Sequence, residues 1–216
     1  MERKFKNSSG ICLLTGSLLA TITMAMHPLG GDIQHIAKIG HVLMFSHSVA
    51  IVCLPFIGFG FWGLSSLLQT PNRVSILSFI IFSFGLFAAM IAATINGLVL
   101  PIFASNYLSI NGDSSIAKTV LEYGKYINFS MTIIFITAVA ISIAIWSILI
   151  IRSAQLSKWL GCYGLLIVAF GIVGIFLKFN FTDLFGFRVF VAGLVSWKIA
   201  AGFMILQKSS KNKQIE

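Results

Sequence analysis

The chain has few charged residues: Asp, Glu, Lys and Arg make up 10% of its 216 residues, and only six residues are acidic. A water-soluble domain of this length needs more charge than this to cover its surface, which excludes an ordinary soluble enzyme or binding module. The net charge of +9 comes from basic residues at the ends of apolar runs. Such residues anchor helices to lipid headgroups, so we expect membrane lipids and no nucleic acid as partners.

Cysteine is also scarce. Cys12, Cys53 and Cys162 each lie inside an apolar run, and no two of them have CxxC spacing. This pattern excludes a disulfide framework or a zinc ribbon and predicts three small core residues. No Walker loop, dinucleotide fingerprint or GxSxG motif is present either. The sequence therefore assigns no cofactor.

Apolar residues are abundant, at 57% of the chain. A helical crossing of the hydrocarbon core takes about 20 residues, so six crossings and short connections fill this length. Helices are expected because only they satisfy their own backbone groups in lipid. The prediction is an all-α, single-domain bundle of six transmembrane helices covering residues 1–216. The predicted spans are 10–27, 38–66, 74–100, 127–151, 159–178 and 187–206.

Three details of the spans follow from local sequence. The basic N-terminus and the first apolar run resemble a signal peptide, but no small-residue cleavage site follows, so an uncleaved first span is expected. Pro101 is expected to close the third span. Asp113-Ser114-Ser115 is a helix-capping pattern, and the helix that it begins either extends the fourth span or forms a lid over one membrane face.

The distribution of basic residues predicts the topology. If the N-terminus is cytoplasmic, nine basic residues fall in inner segments and five in outer ones, with Lys198 inside the last span. Cytoplasmic segments are enriched in Lys and Arg, so both termini are expected in the cytoplasm and the protein in the cell membrane. The inner residues are Arg3, Lys4, Lys6, Arg73, Arg152, Lys158, Lys208, Lys211 and Lys213.

A few polar residues fall inside the spans. An ionisable side chain at membrane depth is costly and faces the bundle interior or water. His41, His47 and Lys198, together with Ser48 and Asn96, therefore predict an outward-facing polar pocket that binds or transports a small molecule or lipid. His41 and His47 are six residues apart and thus rotated by about 240°, so they point in different directions. The alternative is that each imidazole is neutral and bonded to a backbone carbonyl or a serine.

The first outer turn offers a second candidate site. His27, Asp32 and His35 flank Pro28 and Gly30-Gly31, and two imidazoles with a carboxylate suit zinc or iron. A membrane-embedded metal enzyme or metal sensor would use these three residues. Alternatively, Asp32 only caps the next helix and the histidines are interfacial. In a third interpretation, every polar residue is structural and the protein is an accessory subunit without a ligand.

Two stretches carry a resemblance to known proteins. The segment from Ile151 to Gly161, with the core Leu156-Ser157-Lys158-Trp159-Leu160-Gly161, resembles six-span bacterial membrane proteins of the group catalogued as domain of unknown function 4386. The His27-Pro28-x-Gly30-Gly31-Asp32 turn and the stretch 59–64 are similar to other hypothetical bacterial membrane proteins. The resemblance implies six helices in a bacterial inner membrane.

Overall fold

The computed structural model describes residues 2–69, 73–109, 114–153 and 155–211. Within these ranges the secondary structure is helical, and no strand is present. A π-helical segment, Ile95–Val99, connects α4 directly to α5. The α-helices are α1 (Arg3–Met26), α2 (Ile33–Lys38), α3 (Gly40–Leu67), α4 (Val74–Thr94), α5 (Leu100–Ser109), α6 (Ser114–Arg152), α7 (Lys158–Phe176) and α8 (Leu184–Lys211).

Six helices are long and apolar enough to cross a membrane, which confirms the predicted all-α fold with six spanning helices. Large apolar side chains cover the outside of the bundle; Phe84 is 69% exposed and Phe170 is 60% exposed. Exposed aromatic residues at this density fit lipid rather than water. The six helices are Arg3–Met26, Gly40–Leu67, Val74–Ser109, Ser115–Arg152, Lys158–Phe176 and Leu184–Lys208.

The third spanning helix does not end at Pro101, contrary to the sequence prediction. Helix continues to Ser109, and the π-helical segment Ile95–Val99 lies immediately before the proline. Proline cannot donate a backbone hydrogen bond, and its ring clashes with the carbonyl four residues earlier. A π-helical turn shifts the bonding partner by one residue, so the chain passes the proline without leaving helical geometry.

The fourth spanning helix begins well before the predicted residue 127. Helix α6 is 39 residues long and starts at Ser114, which confirms that the helix expected after residue 113 extends this span. The early turns pack inward: Ala117 is buried, and Leu121 is buried in one cluster with Ile36 of α2 and Leu100 and Ala104 of α5. Asp113 itself, like Lys213, lies outside the described residues.

Helices α1 and α8 run antiparallel and fix the two ends of the bundle. Near one end, the Cα of Gly10 lies so close to α8 that a Cβ would be 2.7 Å from Leu206. At the other end, the Arg188 guanidinium donates to the His27 carbonyl at 2.8 Å. We call the first end the terminal face, because both described chain ends lie there. The other end, which carries residues 27–39 and 177–183, is the hairpin face.

A cluster of four aromatic side chains fills the bundle on the terminal-face side of its centre. Phe61 stacks on Trp146 at 4.8 Å between ring centroids and on Trp197 at 6.1 Å, and it contacts Phe82 at 4.2 Å. All four side chains are fully buried. The Trp197 indole N–H donates to the Leu160 carbonyl at 3.0 Å, which ties α8 to α7. We call these four residues the aromatic layer.

Candidate functional site

A cavity of about 680 Å³ lies between α1, α3, α4, α6 and α8. Small-molecule sites are typically about 300–1,000 Å³, so the cavity is large enough for a drug-sized ligand. Helix α7 contributes no described residue to the lining, because it packs outside α6 and α8. Ile36 of α2, Asn96 of the π-helical segment and Leu100 of α5 also line it.

One stripe of each long helix faces the cavity. On every helix the lining positions recur at intervals of three and four residues, which is one side of an α-helix. Most of the stripe residues are apolar. The stripes include Leu43, His47, Ala50, Cys53, Leu54 and Ile57 on α3; Leu121, Lys125, Asn128, Thr132 and Phe135 on α6; and Leu184, Phe187, Val191, Leu194 and Lys198 on α8.

The two ends of the cavity differ. At the hairpin face the lining includes Gly30, Gly31, Lys125 and Asp183, and we call this end of the cavity the mouth. Toward the terminal face the cavity ends at Ile57 and Phe82, where the aromatic layer begins. The cavity thus reaches the hairpin face at one end and is bounded by the aromatic layer at the other.

Lys198 lines the closed part of the cavity and is only 1% exposed. Within the described part of the chain, no hydrogen bond or salt bridge reaches its ammonium group. The Nζ atom has no hydrogen-bond partner among the described residues but keeps some accessible surface, so it faces cavity space. The Cys53 thiol, on α3, is close enough to the Lys198 ammonium group to interact with it electrostatically. The lining acid, Asp183, is far away at the mouth, where it caps α8 by accepting from Gly186 N at 2.6 Å.

Two imidazoles meet nearer the mouth. The rings of His27 and His47 lie 4.7 Å apart between centroids with an angle of 55° between their planes. His27 follows the last residue of α1, and His47 lies two turns into α3. Both rings line the cavity. A close approach of the π-helical segment fixes His47, since a Cβ on Gly97 would lie 2.0 Å from its Cβ.

Both histidines bond to backbone carbonyls through Nδ1. His27 Nδ1 lies 2.9 Å from the Pro28 carbonyl oxygen, and His47 Nδ1 lies 2.9 Å from the Leu43 carbonyl oxygen. The sequence alternative of an imidazole bonded to a carbonyl or a serine describes His47 well, since Ser46 Oγ is also 3.3 Å from its Nδ1. The bond accounts for only one of the two ring nitrogens, so it leaves the cavity-facing edge available.

His27 lies just beyond the membrane-spanning part of α1, and its environment favours the neutral ring. Burial lowers the pKa of His27 below its ordinary value of 6.5, and the nearby Arg188 guanidinium also lowers it. The hydrogen bond to Pro28 acts in the opposite direction but does not reverse the shift. The mouth of the cavity therefore carries an uncharged imidazole at neutral pH.

Three of the five residues predicted for the pocket line the cavity: His47, Asn96 and Lys198. His41 and Ser48 do not line it, and both are exposed on other sides of α3. The rotation of about 240° between positions six apart explains why His41 and His47 cannot share one side. Ser48 neighbours His47 and is therefore rotated by about 100° from it.

The structure does not bring His27, Asp32 and His35 together as a metal site. The Asp32 carboxylate accepts the backbone N–H of His35 at 2.8 Å and so caps α2, as the alternative interpretation expected. His35 is exposed, while His27 turns away from both toward His47. Among the described residues, no group of three or more His, Cys, Asp or Glu side chains is placed to hold a metal ion.

Sequence reasoning missed Thr23 and Lys125 as lining residues. Thr23 lies one turn before His27, is 3% exposed, and its hydroxyl has no hydrogen-bond partner in the described structure. Such lining residues can be found in the sequence because they lie three or four residues from another polar residue on the same side of the helix. Lys125 and Thr132 share that interval with Asn128, so the stripe on α6 is readable from the sequence once one member is placed.

Comparison of the chain with family models, with curated proteins and with solved structures finds no match. The fold and the cavity define a multi-pass helical membrane protein whose interior holds a mainly apolar cavity with one buried ammonium group and two imidazoles.

Proposed function

We propose that this protein binds a small, mainly apolar molecule that carries one acid group, and that it holds this molecule in the cavity with the acid at Lys198. The observation that carries the proposal is the state of Lys198. Its side chain is almost fully buried, it lines the cavity, and no anion of the described structure pairs with it.

An unpaired ammonium group at membrane depth is costly, and such groups are retained where they meet a ligand, an ion path or a partner charge. The described lining contains no carboxylate near Lys198, so the compensating anion would come from the ligand. A carboxylate or phosphate would form a charge-assisted hydrogen bond with Nζ, which is stronger than a bond between neutral groups.

The remaining walls favour an apolar body. Leu54, Leu86, Phe187 and Leu194 surround the space between Lys198 and the mouth. The closed end argues for binding as the basic activity, because passage to the terminal face would require the aromatic layer to part. Transport would add that conformational step to the same binding site.

The location and topology belong to the same proposal. The excess of basic residues at the terminal face supports a cytoplasmic position for both termini, so the cavity would open outward. The resemblance of residues 151–161 to the six-span group named above supports a bacterial inner membrane.

Binding of decanoate tests this function. Isothermal titration would use protein that has been delipidated and then reconstituted in nanodiscs of one defined phospholipid. It would compare decanoate with decanol and decylamine, which have the same chain and a neutral or cationic end. Decanoate should bind more tightly than either. Lys198→Met should weaken decanoate binding by about tenfold or more, since a hydrogen bond to a charged group is lost. Lys118→Met is the matched control, because Lys118 is exposed and lies outside the cavity lining.

Two results would contradict the proposal. Equal binding of the three compounds would show that the ammonium group does not select the ligand. Decanoate affinity that is unchanged in Lys198→Met would show that the acid binds elsewhere. Either result would favour the structural interpretation, in which the protein is an accessory subunit.

A further inference from the structure

The His27–His47 pair has a hydrogen-bonding state that the geometry determines. A carbonyl oxygen can only accept, so the Nδ1 atom of each ring carries the hydrogen in its bond to Pro28 or Leu43. A neutral imidazole then has a free lone pair on Nε2. Each ring is thus an acceptor on the edge away from its backbone bond.

These Nε2 atoms have no hydrogen-bond donor among the described residues. Arg188 is nearby, but its guanidinium donates to the His27 carbonyl instead. His47 is only 5% exposed, yet its Nε2 atom keeps some accessible surface and therefore faces cavity space. The Thr23 hydroxyl, one turn from His27 on the same side of α1, also lacks a partner there, but it has almost no accessible surface. A polar cluster of this kind is costly unless a ligand or water completes it.

The pair lies nearer the hairpin face than Lys198 does, since His27 ends α1 at that face and Lys198 lies 14 residues into α8. From His47 to Cys53 is six residues of α3, a rise of about 9 Å. Cys53 is within electrostatic reach of Lys198 and lines the same cavity. The cavity thus has two polar places, a cation at the closed end and two acceptors toward the mouth, with apolar walls between them.

We infer that the His27–His47 pair is a second binding subsite, and that it takes a hydroxyl or N–H donor at the end of the ligand opposite its acid group. The ligand class is then an elongated carboxylic acid with an apolar middle and a donor at the far end. This inference rests on the proposed function, because the acid group must first bind at Lys198.

A metal ion explains the pair less well. A divalent ion held by two neutral imidazoles would add two positive charges to a cavity that already holds Lys198. The described residues supply no carboxylate at the pair to compensate that charge, and no set of three metal-binding side chains. A neutral donor adds no charge.

The test compares three acids with the same chain: decanoate, ω-hydroxydecanoate and ω-methoxydecanoate, titrated into the wild-type protein in nanodiscs. The hydroxyl can donate, whereas the methoxy group can only accept. The hydroxy acid should bind about fivefold more tightly than the methoxy acid, which corresponds to one net hydrogen bond.

Substitutions then locate the acceptor. His47→Phe should reduce the preference for the hydroxy acid, and the double variant His27→Phe/His47→Phe should remove it while decanoate still binds. His47→Gln, whose amide oxygen can replace Nε2 as acceptor, should restore part of it. His41→Phe is the matched control on the same helix and should keep the full preference, because His41 is exposed and does not line the cavity.

The outcomes separate this inference from the proposed function. If decanoate binds through Lys198 but the hydroxy and methoxy acids bind equally, the subsite is refuted and the proposed function stands. If no acid binds, both are refuted. A preference that appears only with added Zn²⁺ and disappears with a chelator would replace the donor subsite with a metal site and overturn the inference.

Discussion

Replacement of Lys198 by methionine should stabilise the ligand-free protein. Methionine has a similar length and keeps the contacts of the lysine stem, but it removes the ammonium group. If Lys198 serves a ligand, the empty protein gains nothing from the charge. If Lys198 serves the fold, its removal should leave other groups without a partner.

The position of Lys198 in the membrane determines how large the change in the free energy of unfolding should be. It lies 14 positions after Leu184 and 10 before Lys208 in α8, which places it about 21 Å and 15 Å from those residues along the helix axis. A lysine near the centre of a membrane helix costs about 2.5–3.5 kcal/mol relative to an apolar residue. The opening of the cavity admits water and reduces this cost, so we expect the free energy of unfolding to rise by about 1–3 kcal/mol.

Reversible unfolding in mixed detergent and SDS micelles measures this change on delipidated protein. Lys118→Met, at an exposed position, should change the free energy of unfolding by less than about 0.5 kcal/mol. A loss of stability in Lys198→Met would refute the reasoning, because it would show that the ammonium group stabilises the fold in the absence of any ligand.

Two further predictions concern stability. The pKa of His27 in the folded protein is below its ordinary value of 6.5, so the unfolded chain binds the proton first as the pH falls. The midpoint of thermal unfolding should therefore fall as the pH drops below 6.5. Thermal unfolding between pH 8 and pH 5 should show a smaller fall in His27→Gln. Equal pH dependence in both proteins would contradict this. Gly63→Ala should destabilise by about 1–3 kcal/mol, because its Cβ would lie 1.9 Å from Ser9 Oγ; Gly171→Ala, with no atom within 4 Å of the added Cβ, should be neutral in the same unfolding assay.

The spanning helices could be predicted because the apolar runs are long and membrane helices satisfy their own backbone. The ends of these helices are harder to predict. Pro101 looks like a stop signal, yet the π-helical segment before it lets the helix continue. The polar start of α6 resembles a loop in composition, but Leu121 is buried there against α2 and α5.

The site could be predicted only in part. Lys198 and His47 were identified because charge and imidazole are rare at membrane depth. Their surroundings depend on how each helix is rotated, and apolar residues on all sides give little indication of that rotation. The pairing of His27 with His47 further requires the contact between Gly97 and α3, which couples residues about 50 positions apart in the chain.

An experimental structure with bound ω-bromodecanoate would test the central claim most directly. Our account predicts the carboxylate within hydrogen-bonding distance of Lys198 Nζ, and the bromine inside the cavity toward the His27–His47 pair. Bromine found only among the lipid-facing side chains, with an empty cavity and an unpaired Lys198, would contradict it.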